Sequence, residues 1–444
     1  MSAARAGSTH ASEKRSARTT SIVGRQRESI PVCYVPSVCL SRDRAPKTPM
    51  QLPPGPAMKI LHVTESLRLV DGGVARALHD LISVMDQRGH RSMLLTHGTP
   101  DLPAHWAADL ADRVHAMNGF PIARKGPFLR DSARLLELVR RVDMVHIHQP
   151  WHPFLVRVAA LCRKAGTPYC VSLHGCLDDW PMSQKPLKKR ISIALVGRRM
   201  LESAAFVHCT AADEVRQSIK WFPKGRTVVV PCTMDLRVYR QLPEPAVARE
   251  KFGLDIPGDM LLYISRIHPK KGLIHLIRAL PRIREQRPAW LCVAGPREDA
   301  SYAKLVDEEV ERLGLKDAVK FVGNVGDPTL KASLYRAAKA SVLPTSQENF
   351  GFVLFESLAC TTPLVTTDLV DTWRELKEHG GAFIASQDPD AVAREVLRVL
   401  NLTAEEHRAL GERARAWVLE YLDERGIGEK MERAYEAACA KSTG

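Results

Sequence analysis

ASVLPTSQENFGFVLFESLA, residues 340–359, runs from a short apolar stretch through a polar turn into a second apolar stretch. ASVLP has the length and continuity of a strand buried on both faces. Thr345 to Glu348 form its exit loop, and Asn349 to Phe352 begin a helix. Strand, loop and helix make the repeating unit of a parallel sheet, because parallel neighbours need a crossover connection. Two glutamates, Glu348 and Glu356, bracket the apolar run, with Gly351 between them. An acid in such surroundings needs a partner or a ligand.

The same unit recurs on both sides of this stretch. Upstream, KILHVT (59–64), RSMLLTH (91–97), MVHIH (144–148), YCVSLH (169–174), AFVHCT (205–210) and TVVVP (227–231) read as one series of strands. MLLYIS (260–265), WLCVAG (290–295), VKFVG (319–323), ASVLP and PLVTT (363–367) read as a second. Helical spacing separates them at 74–89, 271–287, 301–314 and 328–338, and residues 403–440 are helical and charged. The expected fold is α/β, with two doubly wound, Rossmann-like parallel-sheet domains facing a cleft. The expected boundaries are 58–236 and 237–415, with 416–444 a C-terminal helix packing back toward the first domain.

The 444 residues exceed one ordinary core. A 45% hydrophobic, 26% charged composition is that of a globular chain. No apolar run reaches membrane-spanning length. The ten cysteines are scattered, without zinc or C-x-x-C spacing, and suit a reducing, cytoplasmic setting. The net charge is +14, but residues 1–57 hold nine Lys/Arg against three acids, so +6 of it lies there. That segment is Ser-, Arg- and Pro-rich without periodicity. It reads as a disordered basic extension, and Met58-Lys-Ile-Leu-His-Val would make a natural start for the first strand. No aromatic interleaving supports a nucleic-acid arm, so no nucleic-acid partner is expected.

In doubly wound sheets ligands bind at the carboxyl ends of strands. Gly72-Gly73 follows the first strand and precedes a helix. It is either a plain tight turn or a close approach of backbone to an anionic ligand. The fingerprint G-x-G-x-x-G is absent, which speaks against NAD or FAD. Arg266 and Lys271 flank a strand-to-helix loop, either as solvated charges or as a grip on a diphosphate. Glu348 either complements a helix dipole or receives sugar hydroxyls. The dipole does not account for Glu356.

Taken together, Gly72-Gly73, Ser265-Arg266-x4-Lys271-Gly272 and the E-x7-E pair Glu348 and Glu356 resemble retaining glycosyltransferases of the GT-B fold, family 4. The resemblance covers about residues 58–440. It implies a nucleotide-diphosphate sugar as donor, bound mostly by the second domain. Arg266 and Lys271 would then contact the diphosphate and Glu356 the ribose. Glu348 would face the transferred sugar, with the amides of Asn349, Phe350 and Gly351 near its hydroxyls, and Gly72-Gly73 would close over the phosphates. His174 matches the family's histidine near the reacting sugar, and an ordinary buried histidine is the plainer reading. His146 and His148 fit the family too. Their spacing admits a metal, but no clustered Asp or Cys accompanies them, so no metal or other cofactor is expected. The resemblance implies that the acceptor attacks on the face the leaving group departs from, the leaving phosphate taking the proton.

Two positions depart from the family pattern. Pro231-Cys-Thr-Met-Asp235 stands where P-N-G-V-D is common, and Thr361 stands where a glycine is common.

Residues 174–205 carry Lys185, Lys188, Lys189, Arg190, Arg198 and Arg199 among Ile191, Ile193, Leu195, Val196 and Met200. This stretch resembles a segment of bacterial enzymes that build lipopolysaccharide or exopolysaccharide on lipid-linked acceptors. It reads either as a face for peripheral contact with an anionic inner membrane or as a solvated face over a core stripe. Two rivals remain beside glycosyl transfer to a glycan or lipid-linked acceptor. One is a nucleotide-sugar epimerase or hydrolase on the same fold. The other is a non-catalytic protein that binds anionic ligands.

Overall fold

A computed structural model describes residues 56–116 and 128–441. Most of the basic segment 1–57 therefore lies outside the described residues. The first sheet consists of β1 (Lys59–Val63), β2 (Arg91–Thr96), β3 (Val114–Ala116), β4 (Met144–His148), β5 (Tyr169–Ser172), β6 (Phe206–Cys209) and β7 (Thr227–Val229). Its order is β3-β2-β1-β4-β5-β6-β7, and each pairing is parallel. The second consists of β8 (Asp259–Ile264), β9 (Ala289–Ala294), β10 (Val319–Gly323), β11 (Ala340–Leu343), β12 (Leu364–Thr367) and β13 (Ala382–Ala385). Its order is β10-β9-β8-β11-β12-β13, again with parallel pairings.

Both orders reverse direction beside the first strand of the series, between β1 and β4 and between β8 and β11. At such a reversal the crossover helices leave toward opposite faces and a crevice opens at the carboxyl ends. The loops after β1, β8 and β11 are therefore the ones the topology exposes to a ligand. The central strands are buried throughout: β4, β5, β9, β11 and β12 contain no exposed residue. That is why they read as continuous apolar runs.

Two strands escaped the sequence reading. β3 has three residues, and β13 (AFIA) is a half-buried edge strand after a Gly-Gly pair. Neither is long or β-branched enough to stand out. The helix expected to start at Asn349–Phe352 spans Phe352–Ala359, capped by Gly351 at φ +74°. A side chain there would strain the backbone and press Leu354 and Glu348.

The helix Glu424–Ala440 lies against the first sheet's side of the molecule. Glu432 accepts from Arg88 Nε at 3.0 Å and pairs with His90 Nε2 at 3.1 Å. His90 Nδ1 accepts from the amide of Met58 at 3.2 Å, so Nε2 carries the proton that Glu432 receives. Thr361 adopts φ +63°, and Gly411 of the helix Ala404–Tyr421 packs onto its carbonyl so closely that a Cβ would lie 2.3 Å from the oxygen. The turn retains the left-handed backbone that a glycine would favour, with threonine bearing the strain.

Candidate functional site

The loops at the carboxyl ends of both sheets line one cleft of about 1290 Å³. Gly72, Gly73, His174 and Gly175 line it from the first half. Arg266, Lys271, Glu348, Asn349, Phe350, Gly351 and Glu356 line it from the second. All the residues expected to bind a donor thus meet in one place.

On the second half, Lys271 sits in a 3-10 turn, Pro269–Lys271, closed by Gly272 at φ +70°. A Cβ on Gly272 would lie 1.9 Å from the Pro344 carbonyl, so only glycine lets this turn lie against the β11 exit loop. The consequence is an ion pair between Lys271 and Glu348, with side chains only 8% and 15% exposed. Burial pushes the Glu348 carboxyl up, but Lys271, Lys270 and Arg266 outweigh it and hold its pKa below the usual value. Glu348 is therefore an anion at neutral pH. Beside the helix that starts at Phe352, its charged partner is therefore a lysine from the β8 exit loop. Arg266 is half-exposed and bonds Glu298 at 2.8 Å, leaving most of its donors toward solvent and the cleft.

Glu356 is 1% exposed. Its Oε1 accepts from Lys331 Nζ at 2.6 Å, and Tyr335 Oη lies 3.4 Å from Oε2. Lys331 comes from the helix Pro328–Ala337 and also lines the cleft. The acid in the apolar run has a basic partner, and the hydroxyls of Tyr335 and Tyr239 lie beside it.

On the first half, Gly72 takes φ +101° and caps the helix Gly73–Gln87. A Cβ on Gly73 would stand 3.7 Å from Phe352 of the other half, so a larger residue here would meet it. His174 takes φ +52°, a strained setting for a non-glycine residue. Its Nε2 lies 3.1 Å from His148 Nδ1, and His148 Nε2 lies 3.3 Å from His62 Nδ1. A second row is fully determined. His208 Nε2–H donates to the Val230 carbonyl at 2.8 Å, so its Nδ1 accepts from Ser172 Oγ at 2.6 Å. Ser172 then accepts from His146 Nε2–H at 2.6 Å, and His146 Nδ1 accepts from Tyr435 Oη at 2.7 Å. Burial keeps these rings neutral: it lowers His62 and His208 to about 4 and His174 to about 3.

His62, His146 and His148 each bring a ring nitrogen within 4.8 Å of the others. A metal ion would have to take His146 from Tyr435 or Ser172, so the donor set fits a neutral hydrogen-bond chain better. Tyr435 ties the C-terminal helix to the first sheet through that chain. Tyr435→Phe leaves His146 Nδ1 buried without a donor. It is expected to cost about 1–3 kcal/mol, read as a lower midpoint in denaturant titration with an unchanged slope.

The halves also meet along a polar seam beside the cleft. Asn349 Nδ2 donates to Asp371 at 2.9 Å, and Asn349 Oδ1 accepts from Thr210 Oγ1 at 3.1 Å. Gln347 Nε2 donates to Asp178 at 2.8 Å, and Arg374 pairs with Asp213 at 3.1 Å. Lys270 stands 5.5 Å over the Trp180 ring.

The basic segment forms the helices Pro186–Ser192 and Arg198–Glu202, joined by a wide turn, Ile193–Gly197. Ile193 and Met200 are core residues. Leu187 (72%), Ile191 (50%), Leu195 (75%) and Val196 (43%) are exposed, so the core-stripe reading holds only for the first two. Lys185, Lys188, Arg190, Arg198 and Arg199 are exposed. Two of the segment's cations are also committed within the fold: the Lys189 ammonium donates to the Pro181 carbonyl at 2.6 Å and lies over the Trp151 ring, and Arg198 Nε donates to the Trp221 carbonyl at 3.2 Å.

Sequence reasoning singled out none of Lys331, His62, Asp178, Glu214 and Asp371. Asp178 and His62 carried a readable signal, an acid and a histidine inside otherwise apolar strands or strand exits. The others acquire meaning only from partners distant in the chain.

Two family models match the two halves. Residues 72–233 match the glycosyl transferase 4-like domain, and residues 247–417 match glycosyl transferases group 1. The "uncharacterized glycosyltransferase MJ1607" of Methanocaldococcus jannaschii is 27% identical over 375 residues, 78% of this chain and 89% of that one. The D-inositol 3-phosphate glycosyltransferase of Frankia alni is 35% identical over 281 residues, 58% of this chain and 65% of that one. The crystal structure of Anabaena HepE in complex with UDP superposes with a TM-score of 0.68 at 20% identity, covering 85% of this chain and 99% of that one. With one family model on each sheet and this fold, the chain is a GT-B glycosyltransferase.

Proposed function

We propose that the chain transfers a hexose from a nucleoside-diphosphate sugar to a glycan or lipid-linked acceptor, with retention of configuration, in the building of a cell-surface polysaccharide. The observation that carries this reading is the Lys271–Glu348 pair, set with Arg266, Glu356 and the 347–351 loop around one cleft. A diphosphate seated at Arg266 and Lys271 would place its sugar by Glu348 and its ribose by Glu356. The acceptor oxygen bonds to the anomeric carbon as the bond to the phosphate oxygen breaks. The acceptor proton passes to that phosphate oxygen. Charge then grows on the diphosphate, where Arg266 and Lys271 stabilise it. No second carboxylate is needed as a base. His174 would hold the sugar as a neutral hydrogen-bonding group.

Nucleotide release in the presence and absence of acceptor, followed by NMR of the product anomer, tests this. Acceptor-dependent release with retention supports it. Acceptor-independent turnover without net nucleotide release favours the epimerase, and absence of turnover with binding favours the non-catalytic protein.

Among the described residues no helix is long and apolar enough to cross a membrane. The outward Leu187, Ile191 and Leu195, flanked by Lys185, Lys188, Arg190, Arg198 and Arg199, support docking on an anionic lipid surface. Replacing Lys185, Lys188, Arg190 and Arg199 with Gln is expected to abolish co-sedimentation with anionic vesicles at an unchanged melting temperature. Replacing Lys189 is expected to lower the melting temperature instead. Undiminished co-sedimentation of the four-fold variant would sink the docking reading.

A further inference from the structure

Asp178 follows β5 in the first half, and Asp371 follows β12 in the second. They are 0% and 1% exposed, and their carboxyl groups stand within hydrogen-bonding reach of each other. Two carboxylates cannot share such a contact without a proton between them. The donors around them show which one carries it. Asp371 Oδ1 accepts from Gln217 Nε2 at 2.5 Å, and its Oδ2 accepts from Asn349 Nδ2 at 2.9 Å. Both its oxygens are served, as suits an anion. Asp178 Oδ2 accepts from Gln347, while its Oδ1 is buried with no donor reaching it. An acceptor left alone in that position becomes satisfied by being the O–H that donates to Asp371.

We propose that Asp178 is a neutral carboxylic acid that donates a shared proton to Asp371 across the seam, and that this acid pair is the positioning device for Gln347 and Asn349 in the donor loop. The two acids belong to different halves, yet each binds a side chain of the same loop, residues 347–349. Glu348 lies between those two side chains, and its backbone is fixed by Leu369 and Asp371, whose amide donates to the Glu348 carbonyl at 2.9 Å. Deprotonation would set two anions face to face and push the loop from the first half.

Other groups face the pair. Glu214, on the helix Ala212–Ser218, is fully buried and accepts from the amides of Gly175 at 2.6 Å and Thr210 at 2.5 Å. Cys176, Cys209 and Lys270 complete the surroundings. Burial first, then the charges of Asp371 and Glu214, raises the Asp178 pKa. Burial and the Glu214 charge raise Asp371 as well. A carboxyl protonated in the folded chain and ionised in the unfolded one makes stability fall as pH rises from the ordinary carboxylate range up to the raised pKa.

The test uses the full chain, Asp178→Asn and Asp178→Ala. Thermal unfolding is followed from pH 6 to 9. Asn keeps a donor toward Asp371 without a titrating proton, so Asp178→Asn is expected to flatten the decline by one proton, a factor of about ten in the folding equilibrium per pH unit. Parallel slopes for wild type and Asp178→Asn overturn the shared proton. UDP, GDP and ADP are then added at pH 7. For the nucleotide that stabilises, Asp178→Asn is expected to bind as tightly as wild type. Asp178→Ala, which takes the acceptor from Gln347, is expected to bind about tenfold more weakly than wild type. Equal affinity of the Asn and Ala variants at pH 7 overturns the positioning role. If no nucleotide binds wild type, the donor reading fails on its own, while the slope comparison still decides the proton.

Discussion

Lys271→Ala is expected to lower kcat/KM for the donor by roughly 10²–10³-fold and to destabilise the chain by about 3–5 kcal/mol. The two losses have different origins. The first is the missing cation at the leaving diphosphate. The second is Glu348, left buried without its nearest counter-charge. In the wild type, Lys271 is the largest influence holding the Glu348 pKa down against burial. Without it, burial dominates and the carboxyl protonates at a higher pH. The sign for the wild type follows. Stability from this depressed carboxyl is present above the ordinary carboxylate range and is lost as pH falls through the depressed value.

A paired variant separates the origins. Lys271→Met with Glu348→Gln removes both charges and leaves groups of similar volume, so stability is expected to return to within about 1 kcal/mol of wild type. Turnover is expected to stay low. Restored turnover in that variant would remove the pair from the donor site. Lost stability in both variants would mean that the turn at Gly272 depends on the lysine for its shape.

How much of this is legible in the sequence depends on the range of the interaction concerned. Parallel strands buried on both faces announce themselves as continuous apolar runs, so MVHIH and WLCVAG are readable in isolation. Residues 382–385 are not, because an edge strand half in water needs no such run. The cleft is legible because topology alone brings Gly72, Arg266 and Glu348 to carboxyl ends of strands that lie beside the two reversals. Charge partners are a different matter. Lys271 and Glu348 lie 77 positions apart, Lys331 and Glu356 lie 25 apart, and Gln347 and Asp178 lie 169 apart. No local spacing rule couples positions at those distances, and a surface lysine and a buried one look alike in a sequence. The basic segment shows the converse. Its cations are obvious, but whether Leu195 faces core or water turns on the wide turn at Ile193–Gly197, which shifts the helical phase.

The seam carries this point into function. An acid pair that bridges the halves holds Gln347 and Asn349, and an ion pair that closes the β11 exit loop onto the Gly272 turn holds Glu348 between them. Glu348 is thereby held between a cationic wall in its own half and a polar wall in the other. The loop that would meet the sugar is rigid on both flanks, as a site that stabilises developing charge requires.

Glu356 gives the sharpest division between a ligand group and a mere structural pair. If Glu356 only neutralises Lys331, then Glu356→Gln and Lys331→Met both lower the melting temperature, and neither changes how far a nucleotide raises it. If Glu356 binds the ribose, the two variants move the ligand-induced rise in opposite directions. Glu356→Gln replaces a charged acceptor by a neutral one, a loss of about 1.5–3 kcal/mol, or roughly 10- to 100-fold in nucleotide affinity. Lys331→Met leaves the apoprotein with a buried carboxylate lacking its cation, and the ribose hydroxyls then supply the missing donors. Its free form is less stable than wild type, and its rise with nucleotide is larger. UDP, GDP and ADP are each used with the three proteins, since a ligand at a hundred times its Kd stabilises by about 2.7 kcal/mol. A rise that is reduced in Glu356→Gln and enlarged in Lys331→Met for one base, with little response to the other two, assigns both the ribose contact and the base. Equal rises in all three proteins return Glu356 to a structural role and leave the donor's ribose to be held elsewhere in the cleft.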